Sequence, residues 1–100
     1  MWSEFEEGQT IGTDGTEGGS IVLDHELPDS ARITIDKGGD IAPFTIVLGV
    51  YGMMFHTAFC TTEEEARKKT EELELLIERL LKTEDGSKEE EKFIDEIISY

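Results

Sequence analysis

Phe44-Thr45-Ile46-Val47-Leu48-Gly49-Val50-Tyr51-Gly52-Met53-Met54-Phe55-His56-Thr57-Ala58-Phe59-Cys60 is the stretch that decides the fold. Two apolar runs of strand length flank the Tyr51-Gly52 dipeptide, a pattern that signals a β-hairpin. Read as a two-residue loop, the dipeptide sets Val50 opposite Met53, Leu48 opposite Phe55, Ile46 opposite Thr57 and Phe44 opposite Phe59. This register gathers the bulky side chains on one face. The second face then carries Val47, Gly49, Met54, His56, Ala58 and Cys60. Side chains alternate along a strand with period 2, so a slip of one residue exchanges its two faces.

Toward the N-terminus, Ala31-Arg32-Ile33-Thr34-Ile35-Asp36 alternates cleanly, with Ile33 and Ile35 inward and Arg32, Thr34 and Asp36 outward. Lys37-Gly38-Gly39-Asp40 reads as a turn, Ser20–Asp24 as a strand and His25–Ser30 as a loop punctuated by Pro28. Trp2 and Phe5 are anchors for an edge strand. Gly8, Gly12, Gly15, Gly18 and Gly19 lie in one connection that contains no lysine and leads into the strand-like Ile21-Val22-Leu23. A phosphate-binding loop needs a helix there, so turns with positive φ are the expectation.

Toward the C-terminus, Thr61-Thr62 before Glu63-Glu64-Glu65 is a helix start, with acids at the positive end of the helix dipole. Ala66, Thr70, Leu73, Leu76, Ile77 and Leu80 recur at helical spacing, with Leu81 at the margin, and Asp85-Gly86 ends the element. Ser87-Lys88-Glu89-Glu90 repeats the capping pattern ahead of Phe93, Ile94, Ile97 and Ile98. Strands first and helices last predict a single α+β domain over residues 1–100. Residues 1–60 form a four- to five-stranded, mainly antiparallel meander. A long helix within 61–84 covers one sheet face, and 87–100 form a short terminal helix.

The formal charge of −15 is unevenly made. Residues 1–60 set ten acids against Arg32 and Lys37 alone, and residues 61–100 set fourteen against seven basic residues. The basic run Arg67-Lys68-Lys69 is matched at i,i+4 by Glu63, Glu64 and Glu65, which leaves no basic patch for a phosphate backbone, and an anionic membrane surface would repel the chain. No apolar run approaches the ~18 residues of a membrane span. Residues 1–7 lack the basic and apolar regions of a signal peptide, and the single Cys60 has no internal disulfide partner, so a cytoplasmic location is expected. Acidity of this degree keeps a protein soluble; it also suits a basic protein partner or a salty milieu.

Motifs that carry chemistry are sparse. There is no GxSxG, HExxH or CxxC string. His56 and Cys60, four apart in a strand, lie about 13 Å from each other, too far for one metal ion or a thiol–imidazole pair. His25, in Asp24-His25-Glu26, could approach His56 in a metal-dependent or acid–base site, although no spacing requires it. No catalytic residue, metal ligand or cofactor is assigned. Gly49-Val50-Tyr51-Gly52-Met53-Met54-Phe55-His56-Thr57, with Gly12–Gly19 and Ala31-Arg32-Ile33-Thr34-Ile35, resembles a family of small bacterial proteins. That family is marked by an EGG stretch, an ARIT strand and a G-[VI]-YG-x-M-x-HT-x-F hairpin. The resemblance covers roughly residues 10–60, implies a bacterial cytosolic origin, and brings no activity and no site residues.

The functional expectation is a non-enzymatic protein-interaction module. Its candidate face is the second sheet face, Val47, Met54, His56 and Ala58 with Tyr51 beside it, binding a partner (a basic one, in the manner of an immunity protein) or a second copy as a homodimer. The alternatives are a small enzyme using His25 and His56, and a homo-oligomeric structural subunit.

Overall fold

A computed structural model describes residues 1–15 and 18–100. The expected EGG turn therefore lies partly outside the described residues, at Glu17. Five strands, β1 (Ser3–Glu4), β2 (Ser20–Leu27), β3 (Ala31–Lys37), β4 (Phe44–Val50) and β5 (Met54–Cys60), form one sheet in the order β1-β2-β3-β4-β5. Every neighbouring pair is antiparallel. Two helices follow, α1 (Glu63–Leu81) and α2 (Lys88–Ile98). The α+β architecture expected from the element order is the one observed.

Local chemistry accounts for most boundaries. The Thr62 hydroxyl accepts from the Glu65 amide at 3.1 Å and the Ser87 hydroxyl from the Glu90 amide at 3.1 Å, so both helices start at their anticipated caps. The β2–β3 turn is Pro28-Asp29-Ser30, closed by the Ser30 amide on the Leu27 carbonyl at 2.9 Å. β2 is thus longer than its apolar run, extending through His25 to Leu27. Polar His25 and Glu26 disguise the extension, but each has a strand partner, Ile33 and Arg32. Gly8, Gly12 and Gly18 take φ of 82°, 88° and 85°, the left-handed turns expected of that connection.

α1 packs on the sheet through the anticipated stripe: Ala66, Thr70, Leu73, Ile77 and Leu80 are at most 1% exposed. Beneath it lie Ala31, Ile33, Ile35, Ile46, Leu48, Val50, Ala58 and Cys60, all buried. Two polar contacts tie the helix to the β2 side: His25 Nδ1 lies 2.7 Å from Glu74 Oε2, and Arg67 donates to the Val22 carbonyl at 3.4 Å. α2 returns along α1, with Ile97 fully buried and the Tyr100 hydroxyl donating to Glu72 at 2.8 Å. Residues 87–100 therefore dock on their own domain. No helix among the described residues is long and apolar enough to cross a membrane.

Candidate functional site

The hairpin register differs from the sequence expectation by one residue along β5. Val50 pairs with Met54, Leu48 with His56, Ile46 with Ala58 and Phe44 with Cys60. The loop has three residues, Tyr51-Gly52-Met53, and only Gly52 takes positive φ, at 72°. A two-residue hairpin turn needs positive φ at its first central residue, a conformation tyrosine resists. With glycine second, the Val50–Met53 turn closes through the Met53 amide on the Val50 carbonyl at 2.9 Å, and Met53 joins the loop.

That slip moves the candidate face. Met54, His56 and Ala58 lie with Cys60 on the helix-covered face, so three of the five expected interaction residues are misplaced. Val47 remains on the open face, half-buried, and Tyr51 is exposed in the hairpin loop, its hydroxyl 3.4 Å from Glu26. The open face of β4 and β5 consists of Thr45, Val47, Gly49, Phe55, Thr57 and Phe59. Phe55 is 85% exposed and Phe59 46% exposed. The Phe55 ring lies across Gly49, where a Cβ would sit 2.9 Å from Phe55 Cε1. Glycine on a strand facing an aromatic is the signal that would have found this arrangement: the ring covers backbone that glycine leaves bare.

The other half of the same face is occupied. Asp24, 1% exposed, receives Arg32 Nε at 2.9 Å and Nη2 at 2.6 Å, and the Thr10 hydroxyl at 2.8 Å. The Phe5 ring stacks 3.8 Å from the Arg32 guanidinium carbon, and Asp24 holds the Arg32 pKa above its ordinary value by hydrogen bonding. Gly15 approaches the Asp36 carboxylate so closely that a side chain there has no room. The N-terminal segment is thereby pinned over β2 and β3, and among the described residues the bare apolar surface of this sheet face lies on β4 and β5.

The two sheet edges differ as well. β1 has two residues and is followed by Glu6 and Glu7, a short and charged edge of the kind that resists strand addition. β5 has seven residues, and none is Asp, Glu, Lys, Arg or Pro. Val50 uses its carbonyl toward β5, and Tyr51 donates to Ser30 on the β3 side at 2.9 Å. Antiparallel alternation then turns the even-numbered residues of β5 toward β4, and directs the N–H and C=O of Phe55, Thr57 and Phe59 outward.

His25 and His56 are not brought together. They fall on one cross-strand row, His25–Ile33–Leu48–His56, so three strand spacings, about 14 Å, separate them. Among the described residues no three His, Cys, Asp or Glu side chains are placed to share a metal ion. Burial raises the Cys60 thiol pKa, which leaves it a poor nucleophile. Burial also raises the Glu74 carboxyl, an effect His25 partly offsets. A depression of about 450 Å³ between the β2–β3 turn and the end of α1 offers Glu78 and Lys82 beside Leu27 and Leu81, without a histidine or cysteine.

His56 Nε2 is buried without a hydrogen-bond partner, and burial lowers the His56 pKa from 6.5. The unfolded chain therefore takes up that proton first as pH falls. Stability conferred by neutral His56 is complete above pH 6.5 and declines as pH drops from there toward the folded-state value. His56→Leu removes the titration while keeping similar bulk. Its stability relative to the parent should rise between neutral and mildly acidic pH in urea titrations, whereas a difference independent of pH would refute the assignment. Glu74 titrates in both proteins and cancels from the comparison.

No family model matches the chain, and no curated protein or solved structure matches it either.

Proposed function

We propose that the protein is a non-enzymatic protein-interaction module whose contact surface is the open face of β4 and β5. The observation that carries this reading is the pair Phe55 and Phe59, 85% and 46% exposed on an uncharged strand in a chain that is 33% charged. Val47 and Thr57 continue the patch, and Tyr51 and Met53 extend it at the hairpin end, 46% and 39% exposed. A contiguous apolar surface of this kind on a small acidic domain marks a binding site, and aromatic residues carry disproportionate binding energy. The groups that suggested catalysis support it less: the histidines are apart, and the one cysteine is buried beneath α1.

A photo-crosslinking amino acid at position 55, compared in cells with one at Glu71 on the exposed side of α1, tests the reading. Position 55 should give a discrete protein adduct that Glu71 does not, and Phe59→Ser should diminish it. Equal labelling from both positions would mean that the β4–β5 face is not the contact surface.

A further inference from the structure

We propose that the β5 edge of this face takes a second copy of the chain, joined through antiparallel β5–β5 pairing about a two-fold axis at Thr57; this rests on the interaction reading above. Phe55, Thr57 and Phe59 present the outward backbone groups, so a dyad at Thr57 satisfies all of them at once. Thr57 pairs with its own copy, and Phe55 pairs with Phe59 of the second copy on either side. That register uses the full Met54–Cys60 strand, and a shift to any other centre shortens the overlap. On the open face it sets each exposed Phe55 ring against a Phe59 ring, the cross-strand aromatic pairing that stabilises sheets. On the helix side it sets His56 against Ala58, a large residue against a small one. The strand is its own complement.

Charge leaves this edge, and not the helices, open to a second copy. Each copy carries −15, and approach anywhere on the acidic helices would be repelled; β5 is an edge on which no ionised carboxylate has to be brought against another. Pairing Phe55 with Phe59 on both sides of the axis covers at most roughly 500 Å² of aromatic surface, at about 200 Å² per ring, since the side of each ring away from the sheet stays in water. This is less than half of a standard interface of ~1,200 Å² or more, so the edge backbone and Thr57 must supply the rest, and a micromolar dimer is expected. The residual repulsion between the two anionic bodies gives the dimer a distinctive signature: it tightens as salt screens that repulsion, whereas a complex with a basic partner weakens.

Analytical ultracentrifugation of the purified full chain decides the matter. A monomer–dimer equilibrium is expected, with a dissociation constant that falls severalfold or more as salt rises from about 50 mM to about 500 mM NaCl. Phe55→Lys and Phe59→Glu should each loosen the dimer at least about tenfold, since each breaks the ring pairs on both sides of the axis. Combined in one chain they should restore much of the loss, because the lysine introduced at position 55 then faces the glutamate introduced at position 59 of the second copy. Within one chain the two positions are about 13 Å apart along the strand and cannot compensate each other. Thr57→Lys, which opposes two lysines at the axis, should give a monomer. All three positions are on the open face, and matching far-ultraviolet spectra and melting curves verify that the fold is kept. A monomer at all accessible concentrations, or a double variant no tighter than the singles, overturns the dimer. If position 55 still crosslinks to a different protein in that case, the interaction reading stands without it; if position 55 labels nothing, both fail.

Discussion

Arg32→Ala should destabilise the fold by about 2–3 kcal/mol: Asp24 is fully buried, but the Arg32 side chain is 35% exposed, so the loss falls short of that for a wholly buried ion pair. The reason lies in what remains. Asp24 has no exposed side-chain surface, and Arg32 supplies two of the three hydrogen bonds its carboxylate receives from described residues, at 2.9 and 2.6 Å. Thr10 alone would be left to hold the charge. Arg32 also carries the Phe5 ring, so the substitution frees the turn at Phe5–Gly8, where Glu6 and Glu7 sit at φ of 47° and 58°. Left-handed φ at two successive side-chain-bearing residues is strained and persists only while neighbouring contacts impose it. Arg32→Lys keeps the charge but loses the two-pronged geometry and the stacking, and should recover only part of the loss. Urea unfolding at neutral pH measures both. A deficit below about 1 kcal/mol for Arg32→Ala would show that water reaches Asp24 and that the pair contributes no more than an exposed one.

Arg32 and Lys37 are the only lysine or arginine residues in the first sixty positions, and Arg32 could be placed on the outward side of its strand from alternation alone. Its partner could not. Asp24 is one of ten acids in that half, and its burial depends on a chain segment fourteen residues away folding back over β2. The same limit governs the candidate site. Strand order, helix positions, both N-caps and the α1 stripe follow from local periodicity and capping chemistry, and these were legible. The face on which Phe55 and Phe59 lie was not, because it depends on whether the hairpin loop holds two residues or three. Apolar residues occupy both registers of β5, Met54, Ala58 and Cys60 in one and Phe55 and Phe59 in the other, so hydrophobicity does not choose between them. Two finer signals do. Glycine stands second in Tyr51-Gly52, which disfavours the two-residue turn, and Gly49 in β4 leaves room opposite for an aromatic ring. The smaller Ala58 and Cys60 also suit the covered side, where α1 approaches the sheet.

Ile97→Ala should cost about 2–5 kcal/mol, whereas the half-exposed Ile98→Ala, one residue on, should cost about 1 kcal/mol or less. The two residues are chemically identical and adjacent in the last turn of α2, but Ile97 is fully buried and Ile98 is 48% exposed. Deleting the Ile97 side chain leaves a void in the cluster it shares with Leu73, Leu76 and Leu80, while Ile98 gives up a half-covered contact at the surface, where solvent fills the space. Chemical denaturation of the pair isolates docking from helix propensity, since replacing isoleucine by alanine favours the helix in both. If the two costs were equal, α2 would be riding on the surface and not closing the core. The contrast bears on function because α2 completes the helical layer: Ile97 fills it, and the Tyr100 hydroxyl ties its end to Glu72 of α1. With that layer closed and the N-terminal segment fixed over β2 and β3 by Arg32, the sheet keeps one apolar surface that no described residue covers. It is the Phe55–Phe59 face of β5, beside the edge whose backbone groups at 55, 57 and 59 point outward.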